Sequence, residues 1–512
     1  MERFILAYDL GTGGNKASLY DERGSCIASI FKPYETLYPE VGWHEQKPTD
    51  WWHAVVDATE KLLVATGVDV GRIECLALSG QSLGVVPIGP GGELLRDSTP
   101  IWSDTRAAAQ TQAFFGKIDE DEWYCMTGNG FSRECYSVFK VMWYRDNEPD
   151  MYRAISKVIG SKDYVNFRLT GKIMTDYSYA SGCGVYDLKN WSYSNRLIEA
   201  SGIKRDLFPE IVPSTQVVGA LTKEASMALG LPEKVKVMCG GVDNSCMALG
   251  AGNIVEGRVY LSLGSSAWIA VSSVQPLIDN KIKPFIFAHV VPGMFTSATS
   301  IFSAGSSFKW VRDNLCTDIV QAAEREGKDP YEMMTAFAET SPQGSNRLFF
   351  NPSLAGGSAA HLSPHIRGGF TGLDLSHNRA DIIRSVMEGI TMDLKLMYDR
   401  LERLCKLEDR LLLVGGGSKS RFWRQMFADI FNATIVKSSV DQEAGSLGAA
   451  AIAAVGAGIW KDFSPLEDIV KGEEIAEPDS SAVEVYSRLL PLFERVLHFD
   501  AEIAELCREA LC

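Results

Sequence analysis

Hydrophobic and polar positions along this chain switch repeatedly between the period of a strand and that of a helix. Short apolar runs ending at Asp, Gly or Asn predict strands over 4–10, 17–20, 73–79, 85–88 and 235–239. Longer 3.6-period patterns predict helices over 48–65, 105–115 and 222–229, with Pro48 and Thr222 as start signals. After a glycine-marked joint at 250–257 the alternation begins again. A hairpin over 259–271 comes first, then a long helix with Ile383, Val386, Met387, Ile390, Leu394, Met397, Leu401 and Leu404 on one stripe. Strand 411–414, helix 420–431, strand 433–437 and an Ala-rich helix over 443–455 complete the second half. The tail, 481–511, reads as helix interrupted near Pro491. Strands alternating with helices in both halves give an α/β class.

Two segments share one plan. Near the N-terminus an apolar run ends in Asp9, turns through Gly11-Thr12-Gly13-Gly14 and leaves as a second strand. About half a chain later, Val259–Leu263 turns through Gly264-Ser265-Ser266 into another strand. Turns of small residues present backbone N–H groups to a phosphate, and Asp9 supplies the oxygen ligand that Mg²⁺ prefers. Two such hairpins predict two related lobes facing a shared cleft. Neither is a dinucleotide fingerprint, since each glycine turn leads into a strand and not a helix.

A length of 512 residues exceeds one core and predicts two domains, 1–250 and 251–512. The net charge of −15 argues against a nucleic-acid partner but leaves room for Mg-ATP, which needs only local cations and N–H groups. The run at 4–10 is too short for a signal sequence and the Ala-rich run at 449–455 too short to span a bilayer, so no membrane partner is expected. Eleven cysteines without a CxxC fit reduced thiols, hence a cytoplasmic protein.

Four segments hold candidate chemistry. Gly240-Gly241-Val242-Asp243-Asn244-Ser245 puts Asp243 at a strand end and a helix start, where the helix dipole favours an ionised carboxylate able to accept a proton from an alcohol. A plain N-cap is the alternative. Gly415-Gly416-Gly417-Ser418 follows a strand and precedes a helix, a turn against which a base or phosphate can lie. Gly80-Gln81-Ser82-Leu83-Gly84 matches a nucleophile elbow, but strand and turn follow Ser82 where a serine hydrolase needs a helix. Gln81 then serves instead as a hydrogen-bonding group at a strand end. Trp102-Ser103-Asp104-Thr105-Arg106 combines an aromatic face, a carboxylate and a guanidinium, materials for holding a polyol or for capping a helix with a surface ion pair.

In this order the segments resemble the carbohydrate kinases named for a Phe-Gly-Gly-Tyr motif, the group of xylulokinase, glycerol kinase and gluconokinase. The resemblance runs from Asp9 to Gly445-Ser-Leu-Gly-Ala-Ala and includes both family signatures. The second is Gly368-Gly-Phe370-Thr-Gly372-Leu373 with 381–388; the first is Ser137-Val-Phe-Lys140-Val-Met-Trp143, with Cys135 and Tyr144 as departures.

The resemblance implies two actin/hexokinase-like (ribonuclease-H-like) domains with ATP and sugar in the cleft between them. It implies Asp9 near Mg²⁺, Gly11, Thr12 and Gly13 as first phosphate loop, Asp243 as catalytic base and Gly264, Ser265 and Ser266 as second phosphate loop. Gly415, Gly416, Gly417 and Ser418 become the nucleotide site, and Gln81, Ser82, Asp104, Arg106 and Asn244 the sugar contacts or their supports. The implied partner is a small sugar or polyol, and a homodimer is a possible assembly. The xylulokinase branch is nearest and D-xylulose the expected acceptor, with other pentuloses, tetruloses, polyols and small carbonyl compounds as alternatives. Two departures bear on the acceptor: Ser82-Leu83 replaces the branch's Met-His pair, and 354–361 replaces a Gly-Glu-Arg segment. If that strand end faces the sugar, Leu83 offers no hydrogen bond there. A non-catalytic actin-like sugar sensor is the rival from another class.

Overall fold

Each predicted hairpin sits inside a seven-stranded mixed sheet in the computed structural model, which describes residues 3–357, 363–440, 443–472 and 474–511. In the first half Phe4–Leu10 pairs antiparallel with Gly14–Asp21, which pairs antiparallel with Cys26–Pro33. On its other side Phe4–Leu10 runs parallel to Ile73–Gly80, next to which lie Lys236–Met238 and Gly241–Val242, also parallel. The second half repeats the plan. Val259–Leu263 pairs antiparallel with Ala267–Ser273, which pairs with Phe295–Ile301, while Arg410–Val414 and then Thr434–Lys437 extend the other side in parallel.

The two faces of the first strand explain its unbroken apolar sequence. Phe4, Leu6, Tyr8 and Leu10 join the cluster under helix Pro48–Thr66, whereas Ile5 and Ala7 join the cluster of the Ala-rich helix Ala444–Gly456. Pro48 opens the first helix and Gly67, at φ +60°, closes it. The Ala-rich helix comes from the second half of the chain yet lies on the sheet of the first. It touches helix Asp243–Gly250 backbone to backbone: a methyl on Gly448 would collide with the Cys246 carbonyl, and one on Gly250 with that of Ala444. Small residues at this crossing let the halves meet beside the carboxylates of the site.

Three boundaries differ from the sequence pattern. The helix predicted from residue 105 begins at Ala108, because Asp104 and Thr105 are held in loop bonds to His44 and Gly42. The run at 85–88 yields strand Val86–Ile88, which pairs with Lys157–Ile159 outside the main sheet. The tail is one helix, Ser480–Leu511, running through Pro491. Pro491 is exposed, so water can take the carbonyl it leaves unpaired, while Tyr486, Phe493 and Leu497 pack into the second core on either side. Of the substituted segment 354–361, positions 358–361 lie outside the described residues. No helix among the described residues is long and apolar enough to cross a membrane.

Candidate active site

Adjacent strand ends bring the candidate carboxylates together. Parallel register sets Asp9 beside Ser79, and Val242 beside Gly80, so Asp9, Gln81 and Asp243 emerge at one edge of three neighbouring strands. The Ser79 hydroxyl donates to Asp9 Oδ1 at 2.7 Å. Burial raises the Asp9 pKa, opposed by that bond and by Lys16, its cross-strand partner in the hairpin. Asp243 is the first residue of helix Asp243–Gly250 and its Oδ1 accepts from the Asn244 N–H at 2.8 Å. Burial, and the nearby Asp9 charge, push its carboxyl up to about 7. Asn244, half-buried beside it, takes part through this backbone group.

The strand leading to Asp243 is pinned from behind. The Val242 N–H donates to Ser178 Oγ at 2.9 Å, and Ser178 donates in turn to Asp176. Asp176 also accepts from Ser214 at 2.8 Å and pairs with the buried Lys162 at 3.0 Å. Asn166 holds the Cys239 carbonyl at 2.8 Å.

The first loop is held by its carbonyls. Tyr34 Oη donates to the Gly11 carbonyl, Gln46 Nε2 to that of Thr12 at 2.7 Å, and the Tyr34 N–H to that of Gly13 at 3.4 Å. A trans peptide points its N–H opposite to its C=O, so anchoring these carbonyls inward turns the N–H groups of Thr12 and Gly13 outward. Trp102 Nε1 adds a bond to Thr12 Oγ1 at 2.8 Å. A methyl on Gly13 would meet no atom within 4 Å, so the loop surface is open.

The second loop is held differently. The first turn of helix Ala304–Leu315 supplies backbone donors, Gly305 N–H to the Gly264 carbonyl at 3.1 Å and Ser306 N–H to that of Ser265 at 2.9 Å. Gly264, Ser265 and Ser266 are all exposed. Beside them lies the glycine triplet. Gly415, at φ +92°, approaches the Leu263 carbonyl so closely that a Cβ would stand 2.6 Å from it, and Gly417 packs on the Leu263 side chain. Gly416 faces open space. Ser418 is buried, its hydroxyl donating to the Gly415 carbonyl at 2.7 Å.

Around the carboxylates, Gln81 donates through Nε2 to Gln46 Oε1 at 2.7 Å, leaving its own buried Oε1 without a partner among the described residues. An unpartnered buried acceptor of this kind suits a ligand hydroxyl. Ser82 is half-buried next to it. Asp104 and Arg106 are fully buried and face one another at 2.8 Å, with Glu45 a further 2.7 Å partner of the guanidinium, which stacks 3.9 Å over Trp43. Their polar groups serve the wall that carries Trp102. Leu83 turns away from polar company: it is 5% exposed and belongs to the apolar cluster of Val85, Val138 and Phe139.

Several participants escaped the sequence pattern. Gln46, Tyr34 and Ser178 arrive from outside the two hairpin turns and the four segments that hold candidate chemistry. Gly445 was legible as the start of the last resembling segment, but its approach to the site was not: a methyl there would stand 2.6 Å from Asp9 Oδ2. Lys16 could have been found by counting the hairpin register outward from the turn, which sets it opposite Asp9.

Among the described residues no three His, Cys, Asp or Glu side chains form a metal cage. Asp9 nevertheless fits Mg²⁺, which keeps several waters and takes one or two carboxylates together with substrate phosphates.

Comparison with known proteins agrees over nearly the whole chain. Residues 4–250 match the N-terminal domain, and residues 259–457 the C-terminal domain, of the FGGY family of carbohydrate kinases. A xylulose kinase of Bacillus subtilis (strain 168) is 30% identical over 495 residues, covering 96% of both chains. The ligand-bound xylulose kinase of Lactobacillus acidophilus superposes with a TM-score of 0.88 at 28% identity, covering 96% of this chain and 97% of that one. The gluconate kinase of the same organism gives 0.89, also at 28% identity, covering 98% and 99%.

Proposed function

The chain belongs to the FGGY family of carbohydrate kinases, with the actin/hexokinase-like fold, and from that premise we propose its acceptor and the part each residue plays. It is an ATP-dependent sugar kinase, transferring a phosphoryl group to an alcohol of a small sugar. The proposed acceptor is D-xylulose, supported by the xylulose kinases among its relatives. Gluconate is the second reading, because a gluconate kinase superposes equally well.

One observation carries the mechanism: Asp243 sits beside Asp9 with its carboxyl pushed up to about 7. A carboxylate of ordinary pKa is a weak base, whereas one near 7 is about half ionised near neutral pH and basic enough in that form to accept the proton of an attacking hydroxyl. Asp243 takes that proton as the new P–O bond forms and the bond to the leaving ADP oxygen breaks. Gln81 Oε1 accepts a hydrogen bond from an acceptor hydroxyl, and Ser82 and Asn244 border the same space. Asp104 and Arg106 act as supports, holding the Trp102 segment in place through their mutual pair.

The N–H groups of Thr12 and Gly13 and of the Gly264–Ser266 turn receive the phosphates of ATP, whose transfer depends on positioning and charge neutralisation more than on covalent chemistry. Gly416 offers a bare backbone face to the nucleotide, with Gly415, Gly417 and Ser418 shaping that turn. Asp9 would hold the Mg²⁺ of Mg-ATP, which when bound neutralises phosphate charge. Domains 1–250 and 251–512 close on each other to exclude water, a competing acceptor.

The test is ADP release across D-xylulose, other pentuloses, tetruloses, pentitols and gluconate, with wild type and Asp243→Asn. D-Xylulose is expected to give the highest kcat/KM and Asp243→Asn to lower turnover on the order of a hundredfold or more without weakening ATP binding. No sugar-dependent ADP release with any acceptor would favour the sensor reading.

A further inference from the structure

Lys140 belongs to the first family signature, yet nothing in the catalytic scheme uses it. It is completely buried on helix Ser137–Asn147, and among the described residues no carboxylate pairs with it. Its ammonium instead donates to two main-chain carbonyls, Leu83 at 3.1 Å and Ile101 at 2.6 Å. These two carbonyls belong to the residues next to Ser82 and Trp102, on two segments that the sequence separates by almost twenty positions.

Both segments need such help. After Gly80 the chain leaves the sheet, and residues 81–85 have no strand neighbour to take their carbonyls. Side chains take them instead: Ser161 Oγ donates to Gln81 at 3.0 Å, Lys140 to Leu83, and Tyr144 Oη, one helical turn beyond Lys140, to Val85 at 3.0 Å. At the centre of this run Leu83 adopts φ +59°, a left-handed conformation that a leucine resists. The Ile101 carbonyl also accepts from the Asp104 N–H at 3.1 Å, so Lys140 clasps the turn that presents Trp102.

We propose that Lys140 is a positioning residue for the acceptor site, fixing the Gln81–Leu83 and Trp102 walls at one spacing through their main-chain carbonyls. Losing the clasp lets Leu83 relax from its strained conformation and lets the two walls drift apart, which weakens acceptor binding directly and reaches the phosphate loop only through the single Trp102–Thr12 bond. The charged and titratable groups around it are Asp104, Arg106 and the Cys135 thiol; burial lowers the Lys140 pKa to about 8, so this ammonium is kept at a real cost that a filler methionine would avoid. The inference rests on residues 80–84 forming an acceptor wall, as proposed above.

Steady-state kinetics of Lys140→Met, with D-xylulose and ATP varied separately and the melting temperature measured on the same preparation, tests it. The expected result is a rise in the acceptor KM of about tenfold or more, the loss of a charge-assisted hydrogen bond, with the ATP KM rising no more than about a few fold through the Trp102–Thr12 bond. Lys140→Gln keeps one amide donor and is expected to fall between wild type and Lys140→Met; it replaces Lys140→Met if that variant does not fold. A lowered melting temperature with both KM values unchanged, equal rises in both, or failure of both variants to fold overturns the proposal in favour of a purely structural lysine. Gln81→Ala is run in parallel. If Gln81→Ala raises the acceptor KM and Lys140→Met does not, Lys140 alone is misassigned; if neither does, the acceptor wall itself is misplaced.

Discussion

The two glycine turns have the same hairpin beneath them and opposite means of support. The first, at Gly11–Gly13, is anchored largely by side chains from remote segments: Tyr34, Gln46 and Trp102. The second, at Gly264–Ser266, is anchored by main-chain N–H groups at the start of one helix. The flanking residues differ in the same sense. Asp9, Gln81 and Asp243 surround the first turn, whereas the second has the bare Gly415–Gly417 backbone as neighbour. One lobe is thus rich in individually tunable side chains, which suits discrimination among acceptors and proton transfer. The other presents backbone, which suits a ligand recognised by its phosphates and flat base.

The largest expected effect separates the lobes by chemistry. Asp243→Asn should lower kcat on the order of a hundredfold or more with the ATP KM unchanged, since only the proton acceptor is removed. Near-normal turnover in a folded Asp243→Asn enzyme would take the base out of the first lobe. In the wild type, kcat should rise with pH through about 7, because the carboxylate form is the active one. Stability should move the other way. A carboxyl whose pKa is raised from about 4 in the unfolded chain binds a proton more tightly when folded, so its contribution falls as pH rises between about 4 and about 7 and is flat above. Asp243→Asn should flatten that part of a melting-temperature profile, and a slope equal to that of wild type would assign the titration to another group.

A middle-sized effect probes the backbone lobe. Gly416→Val introduces a side chain that meets no protein atom within 4 Å of its Cβ, so the melting temperature should hold while the ATP KM rises about tenfold. Gly417→Val drives a side chain into Leu263 and should lose stability of about 1–3 kcal/mol by thermal or urea unfolding. If both variants lose stability alike and neither shifts the ATP KM selectively, the triplet is a structural turn.

The smallest effect probes the side-chain support of the first turn. Trp102→Phe keeps the ring but removes the 2.8 Å bond to Thr12 Oγ1, worth about 1 kcal/mol. A rise of a few fold in KM is expected for both substrates, because the indole joins the acceptor wall to the phosphate turn. A change confined to ATP would place Trp102 outside the acceptor wall.

Local pattern by itself determined a good deal of this protein. The hairpins ending at Asp9 and Leu263, the helices opened by Pro48 and Thr222, and Asp243 at the junction of strand and helix were all legible, since each depends on neighbours within a few residues. The family was legible too, because its signatures are short and ordered. Only the tertiary structure decided what the side chains do. Asp104 and Arg106 have the composition of a polyol clamp, but Glu45 and Trp43 arrive from sixty residues away and draw them into a buried pair. Leu83 sits in a motif expected from the resemblance to face the sugar, but the cluster under helix Ser137–Asn147 takes its side chain and leaves its carbonyl to Lys140. Pro491 signalled a break, and packing on both sides of it kept the helix whole. Chain periodicity records which face of an element is apolar; it holds no record of which distant element will meet that face. The pKa of Asp243 and the open acceptor of Gln81 depend on those meetings, through burial and charge brought together from separate strands.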